Sequence, residues 1–256
     1  MFTFLLKRFY QAVIVMFVIS LVAFSIQDNL GDPLRELVGQ SVSESVRQEL
    51  RDKMGLNDPF LVKYSRFLKN AVHGDLGTSY FFKRPALEVI LDKLVATLEL
   101  VFAAALIIVV VSIPLGVYSA IRPRSFLTKL IMAVSSIGIS IPVFLTAIML
   151  MYLFSIQLGW LPAYGRGETY NLLGWESGFF TWDGILHLVL PAVSLSSIML
   201  PLFIRLVRSE MLEQLSSEYV KFARAKGLDN NKVYYQHALK NTMLPVITVG
   251  GVQIGT

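Results

Sequence analysis

An all-α integral membrane protein is the fold class this 256-residue chain predicts, and three observations predict it. Hydrophobic residues make up 54% of the chain and charged residues 16%, whereas soluble domains average about 45–50% apolar and about 25% charged. The ionisable side chains also leave long gaps. None occurs from Phe9 to Gln27, from Leu100 to Ile121, from Leu130 to Gly165, or between His187 and Arg205. A helix needs roughly 20 apolar residues to cross a ~30 Å hydrocarbon core, so these are four candidate spans, the last short at its strict limits. A fifth begins near Met243. Third, the charge has a side. With the amino terminus in the cytoplasm, the intervals 1–8, 122–129 and 205–244 hold 12 of the 23 Lys and Arg against 4 of the 18 Asp and Glu. The outer interval 157–184 holds Arg166 against Glu168, Glu176 and Asp183, which is the positive-inside asymmetry.

That asymmetry accounts for the net charge of +5, and no aromatic-basic repeat or nucleic-acid motif competes with it. The apolar content excludes a disordered chain, and the absence of cysteine excludes disulfides and thiolate chemistry.

The segment 1–27 reads as a cytoplasmic start and first span. Lys7 and Arg8 precede the apolar run, and Ala23 with Ser25 imitates a signal-peptide cleavage site. The run is longer than most signal cores and further spans follow, so an uncleaved helix is the expectation.

The segment 28–96 reads as an extracytoplasmic helical region. Ser41 with Glu44 forms a capping-box pattern, and Val46, Leu50 and Met54 recur every four residues before Gly55. Asp58 and Pro59 start a second helix with Leu61, Tyr64, Phe67 and Leu68 along one side. These stripes predict a small outer domain packed on the membrane portion; an amphipathic pair lying on the bilayer is the alternative. Pro85 opens another helix, with Leu87, Ile90, Leu91 and Leu94 on its apolar side, ahead of the Leu100 span. Glu99, at the entrance to that span, reads as a snorkelling carboxylate, with a pathway role as the alternative.

The segment 97–256 is the membrane core. Pro142 interrupts the third span next to Ser135, Ser136, Gly138 and Ser140, and the fourth carries Pro191 and Pro201 with Ser194, Ser196 and Ser197, which favours an irregular, protein-facing helix. Small residues permit close helix approach and proline removes a backbone donor. Ordinary bundle packing explains one such span; two adjacent ones point to a passage, with Ser136, Ser140, Pro142, Pro191 and Ser194 as candidate gate or pathway residues.

Arg205 to Pro245 is too ordered for a linker. A helix is expected up to Lys226, Gly227 breaks it, and Asp229 or Asn230 caps a short helix through Lys240. Leu228, Tyr234 and Tyr235, ringed by Lys226, Lys232 and Lys240, would dock to a cytosolic partner; a basic segment resting on anionic lipid is the alternative. Helix-turn-helix DNA binding lacks its recognition pattern.

The chain resembles the inner-membrane permease subunit of bacterial ABC importers, of the dipeptide/oligopeptide permease B type, over essentially all 256 residues. The strings are GDP at Gly31–Pro33, HGDLGTS at His73–Ser79, LGWLP at Leu158–Pro162, HLVLPAVSL at His187–Leu195, and the ARAKGL and HALKNTMLP stretches, in that order. The resemblance implies a type I ABC importer permease fold, truncated here within the fifth of six spans, since Thr256 follows Leu244 by only 12 residues. It also implies that 205–244 is similar to an EAA loop whose coupling helix enters an ATPase groove. Carried over, Ala223, Ala225, Gly227, Leu228, Asp229, Val233 and Tyr234 are the coupling candidates, although Lys221 and Phe222 replace the first two letters of the general pattern. The implied partners are a homologous second permease, two cytosolic ABC ATPase subunits or domains, an extracytoplasmic substrate-binding protein and membrane lipid. ATP and magnesium are expected on the ATPases, and none of it on this chain, which has no GxxxxGK[ST]. Peptides are the implied cargo; nickel complexes and glutathione are the cargo of related permeases. No HExxH is present, and His73, His187 and His237 fall in different regions. An intramembrane serine protease lacks a recognisable base, and a membrane receptor or scaffold is the remaining alternative.

Overall fold

The computed structural model describes residues 2–29, 46, 48, 51–52, 56–79, 81–172 and 175–255. The described chain is helical apart from one short hairpin, and it divides into two compact units, Met1–Asp92 and Lys93–Thr256. The Ser41–Glu44 capping box, Leu50, Met54 and Gly55 lie outside the described residues.

In the first unit, α1 (Phe2–Asn29) carries the first apolar run as one unbroken helix. The helix started by Asp58 and Pro59 is α2 (Phe60–Val72), with Pro59 at its N-cap. Its stripe is covered by α1. Tyr64 is buried and its hydroxyl meets the Ser20 hydroxyl at 2.8 Å, while Phe24 lies 5.5–5.7 Å from the rings of Phe60, Tyr64 and Phe67. Aromatic pairs at such spacings contribute about 0.5–1.5 kcal/mol beyond burial. Leu61, expected on that stripe, points away and is exposed. The HGDLGTS string forms the turn after α2, with Gly74 and Gly77 at positive φ and the Gly77 N–H donating to Asp75 Oδ1 at 2.9 Å.

Next comes α3 (Ala86–Ile121), a single helix of 36 residues in which the Leu87–Leu94 pattern runs directly into the span. Arg122 to Ser125 makes the turn into α4 (Phe126–Ser140), where the Ser125 side chain accepts from the Thr128 N–H at 3.1 Å as an N-cap. At Pro142 the helix breaks. α5 (Val143–Leu150) restarts at 107° to α4 and ends in a π-wound stretch, Met151–Gln157. After a loop, β1 (Tyr170–Leu172) and β2 (Trp175–Ser177) pair antiparallel, with Asn171 opposite Glu176.

α6 (Trp182–Ser216) is capped by the Thr181 side chain, which accepts from the Gly184 N–H at 3.0 Å. It runs unbroken through both Pro191 and Pro201, which corrects the expectation of an irregular helix. Serine hydroxyls close on the backbone around the first proline, Ser194 to Leu190 O at 2.8 Å and Ser197 to Ser194 O at 2.7 Å. Such bonds and packed neighbours accommodate proline in a membrane helix.

The expected single helix up to Lys226 is instead broken at Ser217, ahead of α7 (Glu218–Ala225). The expected short helix through Lys240 does not stop there: it starts at Asn230, winds as π from Lys232 to Ala238, and continues without interruption as α8 (Leu239–Ile254). The core of the second unit joins Val117 and Ala120 of α3, Phe203, Val207 and Met211 of α6, and Val220, Ala223, Val233, Ala238 and Val246 from the segments after it.

Candidate functional site

The turn at Gly227 is built by backbone geometry. Gly227 has φ +78°, a region that side chains with a Cβ rarely adopt. Its N–H donates to Arg224 O at 2.9 Å and the Leu228 N–H reaches Ala223 O at 3.4 Å. These two bonds are the Schellman closure of α7, and Ala223 and Leu228 supply its apolar contact. Asp229 then caps the next helix, its carboxylate accepting from the Asn231 N–H at 3.0 Å.

The coupling candidates divide by exposure. Ala225, Gly227 and Asp229 face outward with Lys226, Lys232 and Tyr235. Ala223 and Val233 are buried, and Leu228 and Tyr234 pack partly against the same core. The inward set ties the turn to the ends of α3 and α6; the outward set is what another molecule can touch. A cavity of about 740 Å³ lies between the end of α3 and this segment, lined by Val117, Tyr118, Arg122, Asn231, Tyr234 and Tyr235 among others.

Within α3, 22 residues before its last residue, Glu99 is buried. Its carboxylate accepts from Arg166 Nη2 at 3.2 Å and from the Gly178 N–H at 2.9 Å. The snorkelling expected of Glu99 is thereby corrected: a guanidinium and a backbone donor take the place of water around the buried side chain. Arg166 also donates to Glu176 O, so this one pair pins the loop and hairpin to α3. Beside it, Asp183 accepts from the Glu168 N–H at 2.8 Å, and His187 Nδ1 meets Asp183 O at 2.8 Å. His187 is thus accounted for locally, and no group of three or more His, Asp or Glu gathers as a metal site among the described residues.

The contacts on either side of the α4–α5 pair lie at different levels of α3. α4 begins at the Arg122 end of α3, where the Thr128 hydroxyl donates to Arg122 O at 2.8 Å. The chain after α5 arrives at the level of Glu99, 22 residues or about 33 Å before the last residue of α3. Among the described residues three helices are long and apolar enough to span a membrane, and the bent α4–α5 pair taken as one span makes a fourth.

Of the gate or pathway candidates, Ser136, Ser140 and Pro142 are exposed along α4 and at its break, and Pro191 is exposed on α6. Ser194 is buried. Sequence reasoning missed two groups here. One is the Glu99–Arg166 pair; the other is Arg205, whose Nη2 donates to the Ser136 hydroxyl at 2.7 Å. The available signal was position, since Arg166 and Arg205 each end a run without ionisable residues.

A family model described as the binding-protein-dependent transport system inner membrane component matches residues 112–256, and the model of its N-terminal region matches 1–101. The chain belongs to that family. This inner membrane component is therefore a multi-pass membrane protein of the permease class, and the resemblance to the dipeptide/oligopeptide B type is borne out by its relatives. It is 34% identical to the dipeptide transport system permease protein DppB of Alkalihalophilus pseudofirmus, with 100% of this chain and 80% of that protein covered. Against the oligopeptide transport system permease protein AppB of Bacillus subtilis the identity is 37%, over 99% of this chain and 79% of the relative. The probable D,D-dipeptide transport system permease protein DdpB of Escherichia coli is 35% identical, over 97% and 77%.

Proposed function

We propose that this chain is a transmembrane subunit of an ATP-driven importer and forms part of the translocation pathway for dipeptides or oligopeptides. The observation that carries the reading is the near-complete alignment with relatives named as dipeptide and oligopeptide permeases. The outward-facing turn at Gly227 supports it, because it has the form of an element that a second protein can hold.

In this reading the amino terminus and the segment 205–244 are cytoplasmic and the hairpin loop is extracytoplasmic. The chain pairs with a homologous permease, two ABC ATPase subunits carry ATP and magnesium, and an extracytoplasmic binding protein delivers the cargo. Ala225, Gly227 and Asp229 meet the ATPase; Ala223, Leu228, Val233 and Tyr234 pass its movement to α3 and α6 through the shared core. Ser136, Ser140, Pro142 and Pro191, with Ser194 behind them, belong to the face that opens and closes in alternating access. The broken α4–α5 pair is suited to this because a break already separates two rigid halves.

Reconstitution of the matched complex in proteoliposomes tests the assignment. Uptake of a labelled dipeptide, dependent on ATP and on the binding protein, is the expected result. A binding protein that by calorimetry prefers a nickel complex or glutathione overturns the peptide assignment, and failure of any ATPase to associate overturns transport in favour of a receptor or scaffold.

A further inference from the structure

Arg205 and Arg208 stand one turn apart on α6 and both reach towards α4. Neither makes an ion pair among the described residues. Arg205 has the Ser136 hydroxyl at 2.7 Å; Arg208 Nη1 has only the Met132 thioether at 3.7 Å, a weak acceptor, and Arg208 Nε is buried with no acceptor. Gly138 lies against Pro201, Ser136 against Arg205 and Met132 against Arg208, so the two helices run antiparallel and each arginine extends sideways to the residue at its own level. It does not snorkel towards the end of the helix. Ser136 lies ten residues into α4, about 15 Å from the Ser125 turn. Arg205 also interrupts an exposed stripe that is otherwise apolar, with Leu195, Ile198 and Leu202 before it. Two guanidinium groups without a carboxylate beside them, one with a buried donor left unpartnered, keep donors free for an anion.

We infer that Arg205, supported by Arg208 and Ser136, is a carboxylate site at the cytoplasmic end of the translocation pathway that takes the C-terminal carboxylate of the peptide. This deepens the transport reading above and rests on it. The planar guanidinium fork matches a carboxylate in two parallel hydrogen bonds. The Ser136 hydroxyl is a further donor in place, and Ser140, one turn along the exposed side of α4, continues the polar strip towards the Pro142 break. The terminal carboxylate is the anionic group that a peptide carries whatever its side chains, so a contact there serves cargo of varied sequence. A membrane phosphate presents related oxygens, but both side chains turn to α4, Arg205 to Ser136 and Arg208 to Met132.

The test uses the complete importer in phosphatidylcholine nanodiscs, with and without phosphatidylglycerol, and a radiolabelled photoreactive dipeptide, alanyl-benzoylphenylalanine, as free acid and as C-terminal amide. In the wild type the acid labels this chain about tenfold or more above the amide, the size expected for losing a charge-assisted contact. Arg205→Gln brings acid labelling down to the amide level and leaves amide labelling unchanged; Arg205→Lys keeps part of the preference. Subunit retention and basal ATP hydrolysis establish that each variant is assembled. Wild-type acid labelling in Arg205→Gln overturns the site, as does an equal fall for acid and amide, which marks a structural role. Loss of the second permease from that variant assigns the arginine to a subunit interface instead. Disappearance of the acid preference on adding phosphatidylglycerol assigns it to lipid. If the wild type neither labels nor imports peptide, the transport reading itself fails; normal import with no dependence on Arg205 sinks only the carboxylate site.

Discussion

Gly227 and Glu99 show how a single residue can hold a functional segment by two different forces. Nothing lies within 4 Å of where a Cβ on Gly227 would sit, so a substitution there meets no neighbour and is opposed only by its φ of +78°. A β-branched residue in that region costs about 1–3 kcal/mol. Gly227→Val is expected to insert normally but to weaken ATPase retention or lower substrate-stimulated hydrolysis and uptake; Gly227→Asn, which tolerates the left-handed region better, should be milder. Wild-type retention, hydrolysis and uptake in the valine variant would remove the turn from the coupling path. At Glu99 the force is electrostatic. Glu99→Ala leaves the Arg166 guanidinium and the Gly178 N–H without their acceptor, and because the Arg166 side chain keeps 31% of its exposure the loss is about 1–3 kcal/mol, not that of a fully buried pair. Limited proteolysis of the 165–178 loop should accelerate in Glu99→Ala and less so in Glu99→Gln. Equal rates in all three proteins would exclude the anchoring role.

Between elements, α3 and α6 meet closely at Gly116 and Val207. A Cβ placed on Gly116 would sit 2.6 Å from Val207 Cβ, closer than any real contact, and both residues are buried at the centre of the crossing. Gly116→Ala therefore has to push the two helices apart, at a cost of about 1–3 kcal/mol, seen as a lower Tm of the solubilised complex. Val207→Ala alone opens a cavity, but in the double variant the two changes should partly compensate, giving a non-additive cycle. Additive losses would mean that the helices have room to separate. This crossing also gives the inward half of the coupling turn something to act on. Val220, Ala223 and Val233 share a core with Val117 and Val207, and this packing is the route by which the proposed coupling would reach the ends of both spans.

For the whole molecule, the broken α4–α5 pair and the contacts at two levels of α3 predict a specific topology. Single cysteines replacing Arg124 and Gln214 should be labelled only from the cytoplasm, and one replacing Tyr164, which is exposed, only from outside. Labelling of Arg124 and Tyr164 positions from the same side would make the pair re-entrant and reverse the direction of everything after it.

Hydropathy and composition in the sequence were sufficient for the membrane class and its long apolar helices, because lipid demands long uncharged helices; loop charge predicts the sidedness that the cysteine labelling tests. Local backbone chemistry was legible in the same way: Pro59 at a helix start, the break at Pro142, Gly227 in a turn and Asp229 as a cap each follow from what one residue permits its own backbone. Four things required the fold. Glu99 acquires its partner 67 residues away, and no local pattern encodes that distance. Pro191 and Pro201 leave α6 intact, although each removes a backbone donor from the helix ladder. The segment 230–254 is continuous because Val233, Ala238 and Val246 are buried in one core, which overrides the expected stop at Lys240. Arg205 meets Ser136 only because α4 and α6 pack antiparallel, and the energy that sets such pairings comes from the burial of whole faces, which a one-dimensional reading cannot place opposite each other.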